Sequence, residues 1–406
     1  MLKSTMVKSV CALMTVALLA VGCTTSMAGR ATSDDGYVSA MAATPASTLR
    51  MSLNALFSEH LILATAATGA ALDGREAEFT AAASALDANS VDIAKAIGSV
   101  YGQDAEQAFL PLWRRHIGFA VDYTVGVATK DQVKQQKAVN DLIAYTQDFG
   151  AFLQSANPNL PKSVVADLVK HHVVTLKEVI DAQASKDYAR AYTAERAATA
   201  HMQMIADPLT GAIVKQFPGQ FAGNPESAAA SLRTTLNLAL REHVYLAGAA
   251  TNAALGGRDG EFKAAAGALD TNSVDIAKAI GSVYGQDAEQ AFLPLWRRHI
   301  GFFVNYTVGV ATKDQVKQDK AVGELVGYTQ DFGAFLQSAN PNLPKQVVAD
   351  LVKHHVLTLK DVVDAQAAKD QARAFTAVRT AAGHMQMIAD PLAEAIVKQF
   401  PDRFRG

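Results

Sequence analysis

The sequence predicts an all-α protein made of two tandem up-and-down helical bundles, each of about six helical segments. Three observations carry this prediction. The first is an internal repeat: Asn89 to Phe119, NSVDIAKAIGSVYGQDAEQAFLPLWRRHIGF, returns unchanged as Asn272 to Phe302, an offset of 183 residues. All ten histidines keep that offset, as His60/His243, His116/His299, His171/His354, His172/His355 and His201/His384. The second is an apolar stripe of period 3.6 in every long segment, with no sustained β alternation. The third is that these segments are joined by short runs of Gly, Pro, Asn and Asp, which makes successive helices antiparallel neighbours.

The first element is a leader. Lys3 and Lys8 flank the start of an apolar run, Val10 to Val21, that ends in Ala20-Val21-Gly22-Cys23. A basic start, a short apolar core and small residues before the cut describe a secretory signal over 1–22. The run is shorter than the ~20 apolar residues that span a bilayer. The ending resembles a bacterial lipobox, with Ala20 where leucine is commoner, and that resemblance makes Cys23 the expected lipidation site; the competing cut lies near Ala28. Residues 23–47 are rich in Ser, Thr, Ala and Gly and read as a flexible tether. The expected location is the bacterial cell envelope, lipid-anchored and facing outside the cytoplasm.

Repeat 1 (48–218) then follows. Segment one, about Thr48 to Leu72, aligns Leu53, Leu56, Phe57, His60, Ala64 and Ala67, with Thr48 as the expected N-cap and Asp73-Gly74 as the stop. Segment two, about Glu76 to Val100, aligns Phe79, Leu86, Asn89, Ile93 and Ile97. Segment three, about Asp104 to Thr129, aligns Phe109, Leu112, Trp113, His116, Ala120 and Tyr123. Segment four, about Asp131 to Gln154, carries Leu142, Tyr145, Phe149 and Phe152. Segment five opens at Pro161, tolerated in a first turn. Segment six, about Asp187 to Phe217, contains Pro208, which should kink or break it. Residues 219–229, with Gly223-Asn224-Pro225, form a linker that can hinge, and 230–406 repeat the pattern.

Composition removes several functions. The net charge is −2 with 19% charged residues, so no basic surface argues for nucleic acid. The two cysteines, Cys11 and Cys23, both lie in or beside the leader, which leaves the repeats without disulfide, thiolate metal site or thiol nucleophile. No Gly-x-Ser-x-Gly, Walker A or dinucleotide motif is present.

What remains is histidine. In repeat 1, His60, His116, His172 and His201 fall on the apolar stripes of four different helices, with Asp148 close to the stripe of a fifth. Imidazoles converging from several rigid helices are what a transition metal needs, and Asp87, Asp92 and Asp148 are candidate ligands or acceptors for the distal ring N–H. The candidate metal ligands are therefore His60, His116, His172, His201 and Asp148, with His243, His299, His355, His384 and Asp331 in repeat 2. Two readings stand. One is a metal ion (Fe, Cu, Zn or Mn) bound or stored in each bundle; the other is a metal-free polar histidine network inside an interaction or scaffold module with an envelope partner. Neither Glu-x-x-His nor His-Glu-x-x-His occurs, so no sharp fingerprint selects between them. No general acid or base stands out, which favours binding over turnover. His201-Met202-Gln203-Met204 reads as core packing, because His201 and Met202 point about 100° apart on a helix.

Through Ser-Glu-His60, Ala-Leu-Asp87-x-Asn89-Ser-Val-Asp92, Leu-Trp113-Arg-Arg-His116-Ile-Gly-Phe, Lys-His-His172 and His201-Met-Gln-Met, each repeat resembles a poorly characterised bacterial family of secreted or lipid-anchored helical domains. Some of its members are attached to a module named after the N-terminal domain of copper amine oxidases. The resemblance spans residue 48 to the end and implies no activity. The overall design is also similar to ferritin-like and hemerythrin-like bundles, although the carboxylate-rich motifs of the first and the full histidine series of the second are absent.

Overall fold

The structure, a computed structural model, describes residues 42–404. The expected signal peptide, Cys23 and the tether up to residue 41 lie outside the described residues. Among the described residues there are helices and no strand. Repeat 1 contains α1 (Pro45–Leu72), α2 (Glu76–Tyr101), α3 (Gln103–Ala128), α4 (Gln132–Ala156), α5 (Lys162–Ala184) and α6 (Tyr188–Gln216). Repeat 2 contains α7 (Ala228–Leu255), α8 (Asp259–Tyr284), α9 (Gln286–Ala311), α10 (Gln315–Ala339), α11 (Lys345–Ala367), α12 (Gln371–His384) and α13 (Gln386–Gln399), closed by a 3₁₀ turn at Pro401–Arg403.

Two local expectations need correction. The first helix starts at Pro45, inside the stretch read as tether, because Thr44 and Ser47 cap each other reciprocally and Pro45 stands at N1. Pro208 does not break α6, which runs through it to Gln216. Ile205, Ala206, Leu209 and Thr210 around it are buried, and that packing outweighs one forfeited backbone bond. In repeat 2 the helix does part, at Met385, six residues before Pro391.

Within a repeat each helix packs on the next, and the sixth closes back on the first. The three helices of like direction, α1, α3 and α5, also touch one another across the middle of this ring, as do α7, α9 and α11. The two repeats then pack together in one compact unit: α1 lies against α7, α6 against α8, and α12 against α2. Equivalent helices meet equivalent helices, so the contact is that of a two-fold dimer fused into one chain.

The mutual burial of α1 and α7 explains the composition of α1. It is apolar and long enough to cross a membrane by those criteria alone, yet 67% of its most apolar window is buried inside the protein. A helix apolar on all sides belongs at a centre, and α1 faces its own bundle on one side and the other repeat on the opposite one. The linker is bonded to the start of α1. The Ala46 N–H donates to the Ala222 carbonyl (3.1 Å), and Arg50 Nη1 donates to the Pro225 carbonyl (2.9 Å) and to Ser231 Oγ (3.0 Å). Gly223, at φ +105°, sits so close to Thr44 that a Cβ would lie 2.5 Å from its Oγ1. These bonds strap the linker to the start of α1.

Candidate metal centre

The inner helices place one histidine each at the middle of the ring. His60 on α1, His116 on α3 and His172 on α5 are all buried, and one nitrogen from each lies within 4.8 Å of the others. His243, His299 and His355 form the same group in repeat 2. The closest pairs are His60 Nε2 to His116 Nε2 at 3.3 Å and His243 Nε2 to His299 Nε2 at 3.4 Å. Two nitrogens bound to one ion at about 2.05 Å in tetrahedral geometry stand about 3.3 Å apart. The spacing of that pair is therefore already a coordination edge, and a modest approach by the third ring completes a face.

Aromatic rings hold the triad. Trp113 packs against His60 and His116 at centroid distances of 4.8 and 4.6 Å, and Tyr145 stacks on His116 at 5.2 Å. Phe57, Phe109 and Phe149 surround Trp113. The dry setting controls protonation. Burial, reinforced by the neighbouring rings, pushes His60 well below the usual imidazole range, His116 to about 3 and His172 to about 4. In repeat 2 His243 moves in the same direction, His299 to about 4 and His355 to about 3. At neutral pH all six rings are uncharged and have lone pairs to offer.

Little inside the protein uses them. Among the described residues neither ring nitrogen of His172 or His355 has a hydrogen-bond partner, and Nδ1 of His60 and His243 has none, whereas His116 and His299 each have only the backbone of Trp113 and Trp296 nearby. A buried polar atom left unpaired costs about 1–3 kcal/mol. Beside the triad of repeat 1 lies a cavity of about 20 Å³, lined by His116, Ala120, Tyr145, His172 and Leu176 among others, with room for about one water molecule. Two buried histidine triads able to hold a metal ion are thus built into the fold.

The other sequence candidates lie elsewhere. His201 Nε2 is 3.0 Å from the Leu168 carbonyl, to which it donates, and its ring packs at 4.1 Å on exposed His171. His384 repeats this with the Leu351 carbonyl (3.2 Å) and His354. These two rings are held at the bundle flank by backbone carbonyls rather than aimed at the triad. Asp148 and Asp331 are exposed and paired with Arg115 and Arg298, each at 2.5 Å, so neither stands among the donors. Asp87 accepts from both Nε and Nη2 of Arg114, and Asp92 is held by Arg379 of the other repeat. Asn89 is buried but serves Glu59 Oε2 (2.8 Å) and the Leu56 carbonyl. Each of these polar groups found an arginine or a backbone partner that periodicity alone could not reveal. Sequence reasoning also missed Tyr145 as the ring stacked on His116, although its place on the same apolar stripe as Phe149 was the available signal.

No family model, curated protein or solved structure matches the chain.

Proposed function

We propose that the protein is a lipid-anchored envelope protein whose two bundles each bind one transition-metal ion, through His60, His116 and His172 in the first and His243, His299 and His355 in the second. The observation that carries this is the set of three buried, uncharged imidazoles whose nitrogens lie within 4.8 Å and are largely without protein partners. Three nitrogen donors without a carboxylate favour zinc or copper, with iron or nickel next; they suit manganese less, and a carboxylate-bridged di-iron centre of the ferritin-like kind not at all. The ion's contribution would be Lewis acidity or, for copper, redox capacity. The protein's own residues fix three ligand directions and exclude bulk water, which fits binding or storage. The leader supports the envelope location, and substituting Cys23 by Ser should move the protein from the membrane to the soluble fraction.

The competing reading, a metal-free interaction module, draws on the 3.3 Å contact, which one N–H···N bond between His60 and His116 would explain. That bond leaves both nitrogens of His172 without use. Elemental analysis and metal titration of the purified mature chain decide between them. About two equivalents of metal should bind, falling to about one in His116→Ala or His299→Ala and to almost none in the double variant. Protein that takes up no zinc, copper, iron or nickel, and melts at the same temperature with each, would overturn the proposal.

A further inference from the structure

A second site lies where the repeats meet, and none of the triad histidines lines it. A cavity of about 120 Å³ opens between α1 and α6 of repeat 1 and α7, α11 and α12 of repeat 2, with room for roughly ten water-sized atoms. Its walls break the symmetry of the fold. Ile62, Thr65, Gly69, Tyr192 and Glu195 of repeat 1 correspond by the 183-residue offset to Tyr245, Gly248, Asn252, Phe375 and Val378, and all ten line the cavity. The triads are identical between repeats, whereas this lining is not.

Glu195 is the chemical centre of the cavity. Thr65 Oγ1 donates to its Oε2 (2.9 Å), and among the described residues no lysine, arginine or histidine pairs with it. The other acids of the lining are neutralised: Arg75 holds Asp73 and Glu78, Lys186 also reaches Asp73, and Arg258 holds Glu261 at 2.7 Å. One carboxylate is left over. Burial, with a small push from Glu242, lifts its carboxyl to about 7 against the Thr65 hydrogen bond, so the apolar wall keeps it from ionising freely. Tyr192 lies on the same helix and lines the cavity beside Glu195, and the rings of Tyr245 and Phe375 add apolar surface opposite. An anion has no free cation here to meet, and a metal ion would find only one free carboxylate.

We propose that this inter-repeat cavity binds a small organic monocation, a primary amine with an apolar or aromatic body of about ten non-hydrogen atoms, its ammonium seated on Glu195 and Thr65 and its body between Tyr192, Tyr245 and Phe375. Such a ligand supplies the missing countercharge and fills the apolar remainder. A single site per chain follows, because Val378 stands where the second carboxylate would be.

Isothermal titration of the full mature chain with benzylamine, and separately with benzyl alcohol and benzoate, tests this. Benzylamine should bind saturably at one per chain and raise the melting temperature; the alcohol and the acid should bind at least tenfold more weakly. Glu195→Val, which installs the residue repeat 2 already carries, should fold, retain its metal content and lose at least tenfold in benzylamine affinity. Glu195→Gln, close to isosteric, should show the same loss and guards against a packing artefact in the valine variant. Absence of saturable benzylamine binding, equal binding of the alcohol, or undiminished affinity in both variants would overturn the proposal. Because metal content is read separately, failure here leaves the histidine sites standing, and their failure leaves this one.

Discussion

At the scale of single residues, the buried imidazoles make the protein's stability a function of pH. Each triad ring has a folded-state proton affinity far below that of an exposed histidine, the result of burial first and of neighbouring rings second. The folded state therefore binds fewer protons than the unfolded one at pH values between the folded values and the unfolded value near 6.5. Stability is fully present above that value and is lost as pH falls toward the folded values of about 3 to 4. Each ring contributes about 1.4 kcal/mol per pH unit within that window. Metal-free protein should accordingly show a urea midpoint that drops steeply between about pH 6.5 and 4. A saturating ion competes with those protons and should shift the drop to lower pH; coincident curves with and without metal would count against the sites. Substitution of His172 by Phe, which removes two unpaired buried nitrogens, should leave metal-free stability unchanged or higher while cutting metal binding in repeat 1.

At the scale of helices, much of this architecture was legible, because a helix announces itself through spacing. The apolar stripes, the turn residues between them and the Pro161 start place five of the first six helices within about two residues of their observed bounds, and Asp131 and Asp187, read only as segment starts, are N-caps. Three of the four stripe histidines do meet. The fourth does not, because a stripe gives a direction and says nothing about which residues sit at the same height along the bundle: His201 reaches a carbonyl at the flank. Aspartates near the stripes were ambiguous for a related reason, since an arginine distant in sequence can claim them, as Arg115 claims Asp148. Close helix approaches were also hidden. At the α4–α5 corner a Cβ on Gly150 would lie 2.5 Å from the Lys162 carbonyl oxygen, and the same holds for Gly333 and Lys345. Gly150→Ala should therefore destabilise by about 1–3 kcal/mol, read as a lowered urea midpoint. Ala120→Phe addresses the cavity beside His116 and His172. Repeat 2 carries Phe303 at that position, so the larger ring should be accommodated, and metal exchange in repeat 1 should slow several-fold toward that of repeat 2 in a chelator-competition assay.

At the scale of the whole molecule, duplication has produced an interface with two reciprocal clamps, and they are unequal. Arg196 of repeat 1 grips Glu242 and Asp275 of repeat 2, while Arg379 of repeat 2 grips Glu59 and Asp92 of repeat 1. Glu59 is the more buried anchor, its side chain 5% exposed against 19% for Glu242, and only Glu59 also accepts from the Tyr245 hydroxyl, at 2.5 Å. Burial raises its proton affinity, yet Arg379, Tyr245 and Asn89 together hold it below the usual glutamate range. Removing Arg379 leaves that charge buried without a cation, a change worth roughly 3–5 kcal/mol; removing Arg196 exposes Glu242 to more water and should cost about half as much. Urea unfolding of Arg379→Ala and Arg196→Ala measures the difference. The cause can be isolated by adding Glu59→Gln to Arg379→Ala: if the cost is an uncompensated charge, the double variant regains much of the lost stability, and if it is lost packing of the arginine stem, it regains none. Recovery would establish that the two bundles are fastened chiefly by a paired buried carboxylate on one side of their axis, the side shared with the cavity that Tyr245 lines.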